Sequence, residues 1–163
     1  QGARLMFLPH QTGGFDIPCA GMGKISPSLW LNREKDPEAI RSEVIGPKGR
    51  QWLMKWLPSR AYDSGMYAVF SNGCGIDGKD EVRCGGAVIV DPHGIVVSES
   101  FALHDDMVVS DLDPRELELN LGRSHSSARR PELYGKLVER TSEADTRSVR
   151  NAIRRKLGVD LAE

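Results

Sequence analysis

The feature that most constrains this chain is an apolar run, Leu5, Met6, Phe7 and Leu8, stopped at once by Pro9. A short continuous apolar stretch with a proline stop reads as a fully buried strand. A second run of this kind, MYAVFS at 66–71, follows only after helical segments. Two more, at 86–90 and 95–100, are joined by Asp91-Pro92-His93-Gly94, the composition of a tight turn. Single strands separated by helices predict a parallel or mixed sheet, and the hairpin at 86–100 adds antiparallel edges. The expected class is α/β (α+β) with covered sheet faces.

Between these strands the punctuation is clear. Glycines and prolines from Gly13 to Pro27 predict a long loop over 9–33, and a loop of that length in a compact domain is more often functional than idle. Asp36-Pro37 and Asp113-Pro114 each open a short helix, to about Val44 and Leu121. Trp52, Leu53, Trp56 and Leu57 fall at helical spacing and predict a helix over 48–64, kinked at Pro58 and closed by Gly65. A turn-rich loop is expected at 72–79, a fifth strand at 107–111 and a helix at 132–138. Over 143–158, Val149, Ile153 and Leu157 recur four apart with arginines on other faces, an amphipathic helix that needs a surface to lie on.

Composition excludes several classes. The chain has 163 residues, 39% apolar and 28% charged, as expected for one ordinary globular domain. A net charge of −1 gives no electrostatic case for nucleic acid or anionic lipid, so neither is expected as a partner. No apolar stretch approaches the ~20 residues of a membrane helix, so no membrane contact is expected. Cys19, Cys74 and Cys84 cannot all pair within the chain, which points to a reducing, cytoplasmic setting. Cysteines and histidines lack zinc spacing, and no metal is expected.

Five stretches occur in one order: GARLMFLPHQTGG, WLMKWLPSRAYDSGMYAVFSN, GGAVIVDPHGIVVSES, MVVSDLDPRELE and RRPELYGKL. Together, over about residues 1–140, they resemble the C-terminal half of the nitrilase superfamily of carbon–nitrogen hydrolases. The resemblance rests on Gly2-Ala3 leading a strand that ends at Pro9, on Arg60-Ala61 in a helix before a strand, and on a glycine-led hairpin at 86–94. Asp111 to Asp113 at a strand end and Arg129 to Tyr134 complete it. It implies part of a four-layer α-β-β-α sandwich with two mixed sheets. It also implies hydrolysis of a small amide, carbamoyl compound or nitrile through a Cys thioester, assisted by a Glu base and a Lys, with no cofactor. In that family all three residues precede the Gly-Ala pair, so the catalytic set is expected upstream of Gln1 and no catalytic residue within this chain.

What remains for this chain is the pocket. Strand C-terminal ends are where α/β sheets place their sites. His10, Gln11 and Thr12 follow the first strand, Asn72 ends the second, and all four can hydrogen-bond a small polar substrate. Loop capping is the competing reading. Phe15, Ile17, Met22 and Trp30 form an apolar wall for a lid, or pack on the 48–64 helix. Trp52 and Trp56 read as core, and Arg60 as a helix arginine paired with a carboxylate or carbonyl. The three cysteines read as small buried thiols, with no sequence-adjacent base.

The expected organisation is a hydrolase portion at 1–142 and an amphipathic tail at 143–163. Relatives of this kind commonly oligomerise through C-terminal segments, so the tail is expected in a homo-oligomer contact. The alternative is a catalytically inactive nitrilase-like binding or assembly module. An unpaired, exposed strand edge would favour the hydrolase half; covered surfaces would favour the module.

Overall fold

The computed structural model describes residues 2–11, 13, 23–77, 81–139, 146–156 and 158. It divides into two compact units, 1–128 and 129–163.

The first unit is built on a four-stranded mixed sheet. Strands β1 (Leu5–His10), β2 (Tyr67–Asn72), β5 (Ala87–Val90) and β6 (Val96–Ser100) lie side by side in the order β1-β2-β5-β6. β1 and β2 are parallel, with Leu5 opposite Tyr67 and His10 opposite Asn72. The remaining pairs are antiparallel. β3 (Cys74–Ile76) and β4 (Val82–Cys84) form a separate two-stranded antiparallel ribbon. The mixed α/β class with two sheets is thus as expected, but only the larger sheet is mixed. The predicted loop at 72–79 is half of the ribbon.

One sheet face carries Ala68, Phe70, Val88 and Val90 into a core shared with helices α2 (Pro37–Ile45), α3 (Arg50–Leu53) and α4 (Leu57–Ser64). Ile40, Val44, Leu57 and Ala61 are fully buried there. Each large aliphatic side chain so placed contributes about 1.5–3 kcal/mol relative to exposure. α1 (Pro27–Leu31) adds Trp30, which is buried in the same cluster while Arg33 stacks its guanidinium 4.8 Å from the ring centre. Trp30 therefore packs rather than walls a lid. Phe15, Ile17 and Met22 lie outside the described residues.

The helix starts follow the two Asp-Pro pairs. Asp36 caps α2 by accepting from the Ala39 amide at 3.1 Å, and Asp113 caps a 3₁₀ turn at Pro114–Leu117 through the Arg115 amide at 2.9 Å. The expected 48–64 helix is two helices: 54–56 break it, and Pro58 falls in the first turn of α4, where its missing N–H costs nothing. Gly65 closes α4 in the left-handed conformation, φ 60°, as expected. The hairpin turn also forms as expected: the Gly94 amide donates to the Asp91 carbonyl at 3.0 Å, and the Asp91 side chain accepts from the His93 and Ile95 amides.

Three expectations fail for identifiable reasons. β1 is not buried on both faces. It is an edge strand whose Met6 and Leu8 pack on the core while Leu5 and Phe7 are 42% and 68% exposed. Residues 107–111 form no strand; Met107 and Val109 are exposed and no described strand pairs with them. The helix opened at Asp113 is a single 3₁₀ turn, and a separate helix α5 (Leu121–Ser127) follows it. Asn120 makes that break. Buried between the two, it accepts from the Arg123 amide at 2.8 Å and donates to the Glu116 and Leu117 carbonyls at 2.9 and 3.0 Å.

The second unit contains 3₁₀ turns at Pro131–Leu133 and Gly135–Leu137, in place of the expected 132–138 helix, and helix α6 (Thr146–Lys156). Val149 and Ile153 are about half exposed on α6, at 49% and 54%. Among the described residues, no helix is long and apolar enough to cross a membrane.

Candidate functional site

Because β1 and β2 are parallel, their C-terminal ends lie together, and His10 and Asn72 are register partners there. Side chains alternate along a strand, so this pair faces the helix-covered side with Leu8 and Phe70. The His10 ring stacks on Trp56 at 5.8 Å and leans on Phe70 at 5.0 Å. Trp56 in turn meets Trp52 edge-on at 5.5 Å. Both indoles pack against the core, as expected, yet Trp56 also forms the floor under His10. Its indole N–H is buried with no acceptor among the described residues. The Asn72 amide donates to the Cys84 sulfur at 3.6 Å.

Gln11 is exposed, and its carbonyl accepts from the Arg83 guanidinium. Gly13 bridges to the same residue. Arg83 is itself anchored by Asp77 at 2.7 Å and Glu81 at 3.1 Å. The ribbon therefore holds the chain that leaves β1. Thr12 lies outside the described residues. Of the four residues expected at the pocket, the structure brings His10 and Asn72 together and ties Gln11 by its backbone.

Beyond the end of β2 opens a cavity of about 310 Å³, lined by Ser71, Asn72, Cys74, Ala102 and the 104–106 segment. The Asp106 carboxylate accepts from the Ser100 hydroxyl and the Met107 amide, which hold it below the usual carboxylate range. Cys74 faces the Ala102 carbonyl at 3.7 Å. Burial, with Asp105 nearby, pushes the Cys74 thiol above its ordinary value; burial does the same for Cys84. An activated nucleophile needs the opposite shift. Among the described residues, no three His, Cys, Asp or Glu side chains converge as metal ligands do. Arg60 is exposed on α4 with no partner among the described residues, so the pairing expected for it is not made.

Sequence reasoning missed Arg83 and the ribbon that carries it. The signal was present: CGI and VRC flank Asp77-Gly78-Lys79-Asp80, a turn-rich spacer between short strands.

A mixed sheet with helices on one face, a parallel β1–β2 pair and a hairpin returning beside it make a fold like that of part of a carbon–nitrogen hydrolase. One such likeness is to the crystal structure of a carbon–nitrogen hydrolase from Helicobacter pylori G27, at 16% identity and a TM-score of 0.56. The alignment covers 85% of this chain and 42% of that one, so the chain spans less than half of its structural neighbour. No family model and no curated protein sequence matches.

Proposed function

We propose that this chain is the C-terminal half of a nitrilase-superfamily hydrolase that cleaves non-peptide carbon–nitrogen bonds in a small amide, carbamoyl compound or nitrile. The single observation that carries the reading is the open side of β1. This strand is an edge of the sheet among the described residues, and Leu5 and Phe7 are 42% and 68% exposed on the face opposite the helices. An exposed apolar face beside an open strand edge is a surface for pairing and packing. The fold likeness, over 42% of a carbon–nitrogen hydrolase, supplies the occupant: the other half of the same domain.

In this reading the nucleophilic Cys, the Glu base and the Lys come from that other half. The Glu takes the thiol proton as the sulfur adds to the substrate carbon. An amide or carbamoyl nitrogen then leaves as ammonia or an amine carrying that proton, whereas a nitrile gives a thioimidate that adds one water before ammonia leaves. A further water cleaves the thioester. His10, Gln11, Thr12 and Asn72 bind the substrate, at the joined ends of β1 and β2. The exposed Val149 and Ile153 of α6 support a homo-oligomer contact. Two free cysteines at 74 and 84 fit a cytoplasmic setting.

The test is the intact mass of the protein from its natural source, measured under denaturing conditions. A mass about twice 18.0 kDa is expected. A mass of 18.0 kDa would overturn the covalent half-molecule and favour an inactive binding or assembly module.

A further inference from the structure

We propose that Cys74 and Cys84 are a redox dithiol that closes into a cross-strand disulfide, with a small-molecule disulfide such as oxidised glutathione as oxidant. The proposal stands apart from the hydrolase reading and uses only the ribbon's geometry.

The two cysteines are direct register partners, Cys74 on β3 opposite Cys84 on β4. The ladder fixes which kind of pair they make. The Gly85 amide donates to the Gly73 carbonyl at 2.9 Å, and the Asp77 amide to the Glu81 carbonyl at 3.1 Å. Hydrogen-bonded and non-hydrogen-bonded pairs alternate along an antiparallel ladder. With 73/85 and 77/81 bonded, 74/84 is a non-hydrogen-bonded pair. Such partners have Cα atoms about 4.5 Å apart and side chains on one face, inside the span a disulfide bridges. Glycines at 73, 75 and 85 flank the pair, and a Cβ built on Gly85 would sit only 3.4 Å from the Cys74 sulfur. The small neighbours leave the sulfurs room to rotate.

Access assigns the order of events. Cys74 lines the 310 Å³ cavity, whereas Cys84 is 6% exposed and does not line it. The Cys74 thiolate attacks the oxidant, forming a mixed disulfide and releasing one small thiol. The Cys84 thiolate then attacks the Cys74 sulfur and expels the second small thiol. Two protein thiols are oxidised, one small disulfide is reduced to two thiols, and the two protein protons pass to the leaving thiolates. Burial of both thiols makes this slow at neutral pH and faster in alkali.

Closure would act on the candidate site in two ways. It withdraws the Cys84 sulfur from the Asn72 amide that now donates to it. It also staples the ribbon whose Arg83 grips the Gln11 carbonyl.

The test incubates the 163-residue chain in glutathione buffers of rising oxidised share, followed by acid quench, alkylation and peptide mapping. The expected product is a monomer lacking two hydrogens, with 74 linked to 84 and Cys19 alkylated. Cys19→Ala should oxidise identically, and Cys84→Ser should accumulate glutathione on Cys74. Pairing of Cys19 with either partner, an intermolecular link, or full alkylation of both 74 and 84 in buffers that oxidise the urea-unfolded chain would each overturn the proposal. Failure here leaves the intact-mass result untouched.

Discussion

Replacing Phe7 by serine separates the open face of β1 from the rest of the fold. Its ring is 68% exposed and projects away from the core that Met6 and Leu8 join. A phenylalanine presents about 200 Å² of surface, so about 140 Å² remains available to a covering element. At ~25 cal/mol per Å², covering it contributes about 3.5 kcal/mol, of which serine would keep a small part. In the 163-residue chain alone that contribution is absent, and Phe7→Ser should change unfolding free energy by less than about 1 kcal/mol. In a full-length protein whose other half packs on β1, the same substitution should cost about 3 kcal/mol. Urea unfolding followed by tryptophan fluorescence reads both, since Trp52 and Trp56 report from the opposite face of the sheet. Equal, small losses in the two proteins would refute the reasoning, because they would leave the face in water in both.

Asn120→Ala removes one cap and two carbonyl contacts from a buried position, and should cost about 2–3 kcal/mol in urea unfolding. Asn120→Asp keeps the acceptor for the Arg123 amide but loses both donated bonds, and should lose less than Asn120→Ala; equal losses would deny the cap bond any weight. Arg83→Met should loosen the chain after β1, with faster amide exchange at Gly13, and should destabilise by only about 1 kcal/mol because its ion pairs are partly exposed. Unchanged exchange there would mean the guanidinium holds nothing in place. Alkaline pH should weaken the fold. Cys74, Cys84 and Tyr67 are all held protonated past their ordinary values, chiefly by burial. The folded state therefore keeps protons that the unfolded chain gives up. Their stabilisation is full below the ordinary thiol range and is lost as pH rises from about 9 through the raised folded values. Stability that is flat or rising between about pH 8.5 and 10.5 would contradict this sign.

Features fixed within a few residues of chain were legible in the sequence. Asp36-Pro37, Asp113-Pro114, Gly65 and the Asp91 to Gly94 turn all do what their local chemistry requires, because caps and turns are settled by neighbours in sequence. Features that depend on a distant partner were not. The LMFL run looks the same whether its far face meets protein or water, so the sequence could not show that Leu5 and Phe7 are open. Residues 107–111 open on an apolar run like a strand, but an apolar run without a partner makes no ladder.

The same division runs through the site. His10 and Asn72 could be picked out because each ends a recognisable strand, and parallel pairing of those strands then brings them together. Arg83, Cys74 and Cys84 sit in short strands around a turn-rich spacer, a signal that marks the ribbon but not which side chains meet. Their importance is a matter of register: a shift of one residue between β3 and β4 would place Cys74 opposite Arg83 and leave the Cys84 sulfur on the other face. Gly73 and Gly85 at one end and the Asp77–Glu81 pairing at the other pin that register, so the ribbon's turn chemistry decides which side chains meet at the mouth of the site.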